Sequence, residues 1–537
     1  MKHFPSTLLA ICTSLTLITS SCSRLVAQSA STTTAKGIVY EDRNRNGRRD
    51  FSEKGIAGIR VSNGIDVTVT DARGRYTLPI TDDDILFVIK PAGYGILLDE
   101  FNKPKFYYIH KPKGSPTFKY EGVSPTGKLP RSVDFGLIKM DEPTDFSFFA
   151  FGDTQTYTEE ELDFLRRGVV REASQIRGPR FGITLGDLVG DHLELHPGYK
   201  SVMAGMGMPW YHVMGNHDMN YDAKSDKLSD ETFEKNFGPN NYSFDYGKAH
   251  FIILDDIYYP HPITGKGYWA GFREDQLKFV ENDLKHVDPS NLVVISMHIP
   301  LSTPEADGTF RPEDRQKLLS LLDSHPNVLF LSAHTHIQYQ RFYGKEKGLN
   351  REKPIHEFNV GTACGDWYSG ITDKDGLPIS TMRDGTPKGY AIIHVKDNTY
   401  TATYRSYGED PTYQIRLYLP RVVPATKRIG SFAAYANFFM GTDGDKVECR
   451  IDGGEWKPMR QVAHPDPTYS RQVQDWDYYT EARRMRRPSN PIPSPHIWRM
   501  GIPANQTPGE HRVEVRATDI YGNTYTQTGT YQVLPVK

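Results

Sequence analysis

The sequence predicts a layered α/β domain between two all-β domains. In the central part, strand-like apolar runs alternate with helix-like amphipathic runs, which is typical of a layered α/β fold. The parts on either side contain short alternating runs separated by turn residues, which is typical of β-sandwiches. The length of 537 residues exceeds what one hydrophobic core supports, so several domains are expected.

The charge and cysteine content limit which partners and which covalent cross-links are expected for this protein. The formal net charge is −2, which gives no basis for a nucleic-acid partner. Of four cysteines, two lie near the N-terminus and the others are Cys364 and Cys449. These two either form one disulfide or remain as buried free thiols, and the sequence leaves both alternatives open.

Residues 1–30 are predicted to be an export segment. The apolar run 8–18 follows a short basic start and is too short to be a permanent membrane helix. The favoured interpretation is a lipoprotein signal, with Cys22 as the lipidated residue. The alternative is cleavage by an ordinary signal peptidase near Ala27 or Ala30. Either one predicts an exported protein, in the periplasm or as an outer-membrane or cell-surface lipoprotein.

Residues 36–140 are predicted to form an Ig-like β-sandwich, and they include a polar loop with the spacing of a calcium-binding loop. Oxygen side chains occupy its positions one, three, five, nine and twelve, with glycine at six, as Ca²⁺ coordination requires. The alternative is a polar turn that needs no ion. The positions predicted for calcium are Asp42, Asn44, Asn46, Arg48, Asp50 and Glu53.

The segment 42–76 resembles the B-type repeats of bacterial surface adhesins, which are Ig-like sandwiches with a calcium loop of this kind. That resemblance covers only the first domain. It implies that this domain acts as a spacer or presents its neighbour, without a part in catalysis.

The central domain is predicted to span residues 145–407. Thr158 begins a capping box before an amphipathic run that continues to Ile176. Further helices are predicted over 273–287 and 312–325, each followed by an apolar strand. Hairpins are predicted over 242–255 and 389–404.

Residues 408–537 are predicted to form a second β-sandwich. Strand patterns occur at 415–419, 446–451 and 511–518, and a turn precedes another strand at 524–533. The proline-rich stretch 488–495 is predicted to be an irregular loop that reaches the central domain.

Five strand-like runs of the central domain end on side chains of the kind that bind metals. Carboxylates and imidazoles together suit two ions such as Mn²⁺, Fe or Zn²⁺, and one carboxylate can bridge both. Two such ions can clamp a phosphoryl group and lower the pKa of a shared water. Each motif alone is weak, because an aspartate in a turn or a lone histidine usually has a structural role. The residues are Asp153, Gln155, Asp187, Asn216, His217, His298, His334 and His336.

In this order, the motifs around these residues resemble the calcineurin-like metallophosphoesterase superfamily. The resemblance implies a four-layer αββα core and two metal ions bridged by an aspartate and a hydroxide. It implies that Asp187 is the bridge and that Gln155 replaces the usual histidine through its amide oxygen. The extra β domains resemble those of secreted bacterial members. The resemblance assigns Asp153, Gln155 and His336 to the first metal, and Asn216, His298 and His334 to the second.

Within the same resemblance, His217 is expected near the leaving-group oxygen as a general acid or charge stabiliser, with Asp218 orienting it. Substrate contacts are expected in the loops around the site. Trp367 and Tyr368 either offer an aromatic platform to the substrate or pack a domain interface. The predicted substrate residues are Tyr157, Asp191, His192, Trp367 and Tyr368.

The sequence therefore predicts an exported, dinuclear-metal phosphoric ester hydrolase that uses a metal-bridging hydroxide. The substrate is expected to be a phosphate ester, whether of a small molecule, a nucleotide or a lipid head group, and the choice between monoesters and diesters stays open. The alternative is a surface-anchored binding protein whose metal site is vestigial. The replacement at Gln155 is the one feature that supports this alternative.

Overall fold

The computed structural model describes residues 33–304, 309–347, 349, 351–426 and 432–536. The predicted export segment, with Cys22, lies outside the described residues. Within the described ranges, no helix is both long enough and apolar enough to cross a membrane.

The N-terminal unit consists of two four-stranded sheets, which confirms a β-rich domain. The strand orders are β4-β1-β8-β6 and β3-β2-β5-β7, and β1 is antiparallel to β4 but parallel to β8. Fully buried Val39, Phe87 and Leu137 contribute to its core. The strands are β1 (Thr33–Glu41), β2 (Arg60–Ser62), β3 (Val67–Val69), β4 (Arg75–Ile80), β5 (Asp84–Val88), β6 (Tyr94–Gly95), β7 (Tyr107–His110) and β8 (Phe135–Lys139).

The predicted calcium loop follows β1 and is closed by its own carboxylates. Gly47 has a φ of 72°, which confirms the sharp turn expected at position six. The Asp42 carboxylate accepts hydrogen bonds from the amides of Asn46 and Gly47. The Glu53 carboxylate accepts from the amides of Arg43 and Asp50. These bonds support the polar-turn alternative, and calcium binding by this loop stays a prediction.

The central unit contains two mixed sheets that pack face to face. Their strand orders are β11-β10-β9-β20-β21 and β12-β13-β16-β17-β19-β18. Aromatic rings fill the space between them: Phe148 stacks on Phe181 at 5.1 Å and meets Phe251 of the other sheet at 5.2 Å. The strands are β9 (Asp145–Phe151), β10 (Pro179–Leu185), β11 (Trp210–Val213), β12 (Tyr242–Tyr246), β13 (Ala249–Ile253), β14 (Ile257–Tyr258), β15 (Trp269–Ala270), β16 (Leu292–Ser296), β17 (Val328–Ser332), β18 (Gln338–Tyr343), β19 (Ile355–Val360), β20 (Gly389–Lys396) and β21 (Thr399–Ser406).

The predicted helices of this unit are present with shorter bounds, and two further helices, at His196–Met203 and Glu231–Phe237, were not predicted. Thr158 caps the first helix by accepting a hydrogen bond from the Glu161 amide, as predicted. The predicted run to Ile176 is interrupted at Gly168, whose φ of −92° and ψ of −110° lie outside the helical region. The helices are α1 (Glu159–Leu165), α2 (Arg171–Ala173), α3 (His196–Met203), α4 (Glu231–Phe237), α5 (Glu274–Leu284) and α6 (Pro312–Leu321). Both predicted hairpins are confirmed as β12–β13 and β20–β21.

The C-terminal unit is also β-rich, with sheets of order β22-β24-β30-β27 and β23-β32-β31-β25-β26. Its one helix among the described residues, α7 (Pro467–Asp477), was not predicted. The proline-rich loop reaches the central unit as predicted, since the Ser489 amide donates to the Asp366 carboxylate. The strands are β22 (Ile415–Tyr418), β23 (Val422–Ala425), β24 (Ala433–Phe438), β25 (Lys446–Ile451), β26 (Lys457–Pro458), β27 (Arg460–Gln461), β28 (His464–Pro465), β29 (Pro493–Ser494), β30 (Ile497–Gly501), β31 (Gly509–Thr518) and β32 (Thr524–Pro535).

The two cysteines whose pairing the sequence left undecided are free thiols. Cys364 lies in the central unit and Cys449 on β25, and both are buried. The disulfide alternative is therefore wrong in this structure.

A buried charge network joins the N-terminal and central units. Arg60 on β2 lies 2.6 Å from the Asp245 carboxylate and 2.8 Å from that of Asp283, which is fully buried. The His250 ring lies between the same carboxylates, at 2.7 and 3.0 Å. Although burial opposes ionisation, the charges of His250 and Arg60 lower the pKa of Asp283 to about 2.

We expect Arg60→Met to destabilise the protein by about 3 kcal/mol, because it removes one partner from a buried ion network. Thermal unfolding of the full chain, followed by circular dichroism, would measure this. Arg43→Met is the matched control, since Arg43 pairs with Glu41 while its side chain is 58% exposed. That variant should lose less than about 0.5 kcal/mol. Equal melting temperatures for the two variants would contradict the buried network as the stabilising contact.

Candidate metal centre

The predicted ligands lie in the loops that follow five parallel strands. In one sheet β9, β10 and β11 are parallel neighbours, and in the other β16 and β17 are parallel. Parallel strands bring their carboxyl ends to one edge of a sheet, which is where α/β folds place ligands. The structure therefore brings together at one edge residues that are far apart in the sequence.

Four residues in these loops have a left-handed backbone conformation. The φ angles are 27° at Gln155, 49° at Asp187, 67° at His334 and 51° at His336. Residues other than glycine adopt this region at a cost, and such residues cluster at functional sites. The strained backbone allows neighbouring side chains to point into the same space.

The first group consists of Asp153, Gln155 and His336. The His336 Nδ1 lies 2.7 Å from the Gly365 carbonyl oxygen, so Nδ1–H donates and Nε2 faces the group. That Nε2 lies 2.8 Å from the Gln155 Oε1 and 3.2 Å from the Asp153 Oδ2. The Asp153 Oδ2 is buried and lacks a well-directed hydrogen bond from any described residue.

These contacts fit a cation. When Nδ1 carries the ring proton, the Nε2 of a neutral His336 presents a lone pair, as do the oxygens of Gln155 and Asp153. Three lone pairs at this separation repel one another unless a positive charge lies between them. A metal ion would supply that charge and would also satisfy the buried Asp153 oxygen.

The second group is centred on His298. Its Nδ1 donates to the Leu185 carbonyl oxygen at 2.8 Å, which turns its Nε2 inward. That Nε2 lies 3.2 Å from the Asp187 Oδ2, 3.2 Å from the Asn216 Oδ1 and 3.1 Å from the His334 Nδ1. Asp187, His298 and His334 each offer an atom within 4.8 Å of the others, as binding of one ion requires.

The electrostatic surroundings act in opposite directions on the two histidines. Burial and the neighbouring His298 lower the pKa of His334 to about 4, which keeps its ring neutral. Although burial acts against it, the Asp187 carboxylate raises the pKa of His298 to about 10. This part of the site therefore attracts positive charge.

The two groups are directly connected. The His334 amide donates to the Asp153 Oδ1 at 2.9 Å, and the Gln155 amide donates to the Asp187 carbonyl oxygen at 2.8 Å. The residues predicted for two metals therefore form one continuous cluster, with Asp187 in contact with both groups.

The assignment of Asp218 as the residue that orients His217 needs correction. Asp218 is fully buried, and its carboxylate accepts hydrogen bonds from the amides of Leu188, Val189 and Gly215. The His217 Nδ1 instead lies 2.7 Å from the Asp191 Oδ1. Although burial opposes protonation, Asp187 and Asp191 raise the pKa of His217 to about 9. Asp191, predicted as a substrate residue, occupies the orienting position.

The aromatic substrate predictions have different outcomes. Tyr368 is buried, and its hydroxyl donates to the Thr154 carbonyl oxygen at 2.8 Å, so it packs the core and the platform prediction is wrong for it. Trp367 stacks on the His336 ring at 3.9 Å. Tyr157 lies between His192 and His217, with ring centroids at 6.4 and 6.3 Å.

Sequence reasoning missed two residues beside the site. The Arg486 guanidinium of the C-terminal unit lies over the Tyr157 ring at 4.6 Å. The Tyr268 ring meets the His334 ring edge-on at 6.3 Å. The basic run 483–487, directly before the proline-rich loop, is a signal that could have indicated Arg486. No metal-ligand pattern marks Tyr268.

Comparison with family models shows which family the chain is similar to. Three family models match successive parts of the chain: the N terminal of calcineurin-like phosphoesterase over 43–122, calcineurin-like phosphoesterase over 146–338, and the C terminal of calcineurin-like phosphoesterase over 357–525. No curated protein matches the chain.

Among solved structures, the purple acid phosphatase PPD1 from yellow lupin (Lupinus luteus) seeds is similar to this chain. The two chains are 13% identical with a TM-score of 0.36, and the match covers 70% of this chain and 67% of the phosphatase chain. The three family models together match most of the chain. The chain therefore belongs to the calcineurin-like phosphoesterases, as a metal-dependent phosphoesterase with extra N- and C-terminal domains.

Proposed function

We propose that the protein is an exported phosphoric ester hydrolase with a dinuclear metal centre. The observation that carries this proposal is the position of Asp187 between two groups of ligand-type side chains. Its carboxylate contacts His298 of one group, and its backbone carbonyl accepts from Gln155 of the other. A single metal site would not need both groups.

Each group fits one ion of Mn, Fe or Zn. When bound, the two ions supply positive charge for the phosphate oxygens and an activated water. Asp153, Gln155 and His336 would hold one ion, Asn216, His298 and His334 the other, and Asp187 both.

The chain's own contribution to proton transfer lies in His217 and Asp191. With Nδ1 held by the Asp191 carboxylate, the other ring nitrogen of His217 is available to donate a proton. The raised pKa of His217 keeps that proton on the ring at neutral pH. His217 would then protonate the leaving oxygen, while Asp191 keeps the imidazolium oriented and stabilised.

The exposed wall beside His217 supports a role in substrate binding. Tyr157 is held between His192 and the Arg486 guanidinium, so an aromatic face and a positive charge lie close together. A phosphate ester offers negative charge to the arginine. We therefore place part of the substrate at this wall and keep both monoesters and diesters as candidates.

The surface-anchored binding protein stays a second candidate because Gln155 replaces an imidazole in the first group. Metal analysis of the purified protein separates the two. Fewer than about one transition metal per chain would favour the binding protein, because a functional centre retains its ions.

We expect Asp187→Ala to lower the turnover of p-nitrophenyl phosphate and of its bis-ester by at least about 100-fold, because it removes the group that joins both metals. Chelation should have the same effect, and added Mn²⁺ or Zn²⁺ should reverse it. Asp71→Ala, at an exposed turn of the N-terminal unit, is the control and should keep full activity. Unchanged turnover after both treatments would refute the proposed function.

We expect His217→Asn to lower kcat for alkyl phosphates by about 10²–10⁴-fold, the usual range for loss of a general acid. The loss should be smaller for p-nitrophenyl phosphate, whose leaving group departs without a proton. Asp191→Asn should produce the same selective pattern with a smaller loss. Glu194→Gln is the control, since Glu194 pairs with His192 on the exposed surface. An equal loss for both substrates would rule out the acid role.

For the anchor, we expect Cys22→Ser to move the protein from the membrane fraction to the soluble fraction of cells that export it, because the lipidated residue is removed. Immunoblots of the two fractions would measure this. Cys12→Ser, within the same segment, should stay in the membrane fraction. An unchanged distribution for Cys22→Ser would contradict lipidation and favour cleavage near Ala27 or Ala30.

A further inference from the structure

We propose that a cavity beside His334 binds an apolar alcohol part of the substrate ester. This inference rests on the proposed function and adds the substrate class to it. The cavity has a volume of about 370 Å³, which is in the usual range for small-molecule sites. Besides His334, its walls include Tyr268, Trp269, Ile299, Ile337, Arg383 and Ile492.

The cavity is continuous with the candidate metal centre. His334 belongs to both, and the Tyr268 ring meets the His334 ring edge-on at the shared boundary. Ile337 directly follows His336 and is buried, so the loop that carries both histidines also forms a wall of the cavity. A phosphoryl group held at the metals could therefore extend its organic substituent into this space.

The walls are mainly apolar and one of them is rigid. Trp269 stacks on His261 with ring centroids at 4.9 Å and an angle of 3°. The Arg311 guanidinium lies over the same indole at 5.9 Å. The indole is thus held in place before substrate arrives, which reduces the entropy cost of binding an apolar group against it.

Arg383 gives the cavity a positive charge, beside the polar residues Thr303, Thr309 and Thr335. Its Nη2 donates to the Thr335 carbonyl oxygen at 2.7 Å, between the two histidines. This bond fixes the guanidinium at the edge of the cavity, on the side of the metal centre. The cavity therefore suits an apolar alcohol of an ester whose phosphoryl group carries negative charge.

The C-terminal unit supplies the opposite wall. Ile492, in the proline-rich loop, lines the cavity, and its amide donates to the Arg383 carbonyl oxygen at 3.2 Å. This wall is separate from the one formed by Tyr157 and Arg486. The C-terminal unit would then shape the substrate site at two places.

The test is a series of ethyl, butyl and hexyl phosphates with the full-length, metal-loaded protein. Their leaving groups have nearly the same pKa, so differences in kcat/KM report how well the alkyl group is bound. If only the bis-ester is hydrolysed, the ethyl, butyl and hexyl p-nitrophenyl diesters replace them. We expect kcat/KM to rise between about two- and fourfold per methylene group, where fourfold corresponds to complete burial.

Trp269→Ala should flatten this dependence, because it removes the indole wall against which the alkyl group would pack. Ile492→Trp is a second variant, because it keeps the backbone bond to Arg383 and fills the cavity with a larger side chain; it should selectively slow hexyl phosphate. Trp456→Ala is the matched control, since Trp456 lies under Arg450 and Arg516 in the C-terminal unit. That variant should retain the full chain-length dependence.

The outcomes separate this inference from the proposed function. If p-nitrophenyl esters are hydrolysed but kcat/KM does not change from the ethyl to the hexyl ester, the apolar site is overturned and the proposed hydrolase function stands. An equal dependence of kcat/KM on alkyl length in the wild type, Trp269→Ala and Ile492→Trp would show that the alkyl group binds elsewhere, and it would also overturn the inference. No turnover of either p-nitrophenyl ester would refute the hydrolase itself, and the inference with it.

Discussion

The candidate site depends on one buried carboxylate that touches no substrate. Asp218 accepts hydrogen bonds from amides in the loop after β10 and from the Gly215 amide in the loop after β11. It also lies 3.3 Å from the fully buried His196 at the start of α3. One side chain thus fixes two loops and a helix relative to each other. Direct bonds between the two loops add to this effect, since the His217 amide donates to the Asp187 Oδ1 at 2.9 Å and the Asp191 amide donates to the His217 carbonyl oxygen at 3.2 Å.

Buried charges also join the flanking units to the central unit. The Arg60 network connects the N-terminal sandwich to β12, β13 and α5. On the other side, the buried His496 of the C-terminal unit lies 3.1 Å from the buried Asp384 of the central unit. Such contacts are directional, so they constrain how the flanking units are oriented on the central one. With that orientation fixed, the C-terminal loop can place Arg486 and Ile492 beside the site.

The sequence predicted the parts of the site that follow local rules. Apolar runs ending in Gly-Asp or in histidine gave both the strands and the cluster of Asp153, Asp187 and His298, because parallel strands share an edge. It failed where neighbours in the sequence point in different directions. Asp218 is adjacent to His217, yet the turn directs it into the core, while Asp191 reaches the ring. Trp367 and Tyr368 diverge in the same way, one stacking on His336 and the other buried.

Contacts between domains were beyond a pattern-based prediction for another reason. Arg486 and Ile492 reach the site only because the C-terminal unit docks on the central one, and no local periodicity encodes that docking. The apolar character of the cavity beside His334 likewise comes from four separate segments, which carry Trp269, Ile299, Ile337 and Ile492. Composition and spacing describe each segment, whereas the space between them is set by the packing of whole domains.

Gln155 places an amide oxygen where the resemblance to the family leads one to expect an imidazole. Its amide oxygen is 2.8 Å from the His336 Nε2, and its Nε2 lies 3.5 Å from the Tyr157 hydroxyl, which fits an orientation with the oxygen toward the ligands. The first group then offers two side-chain oxygen ligands, from Asp153 and Gln155, and one imidazole, from His336. A set richer in oxygen favours harder ions such as Mn²⁺ over Zn²⁺. The left-handed backbone at Gln155 has a cost in free energy; it brings the side-chain amide to the cluster and lets the backbone amide donate to the Asp187 carbonyl oxygen at 2.8 Å.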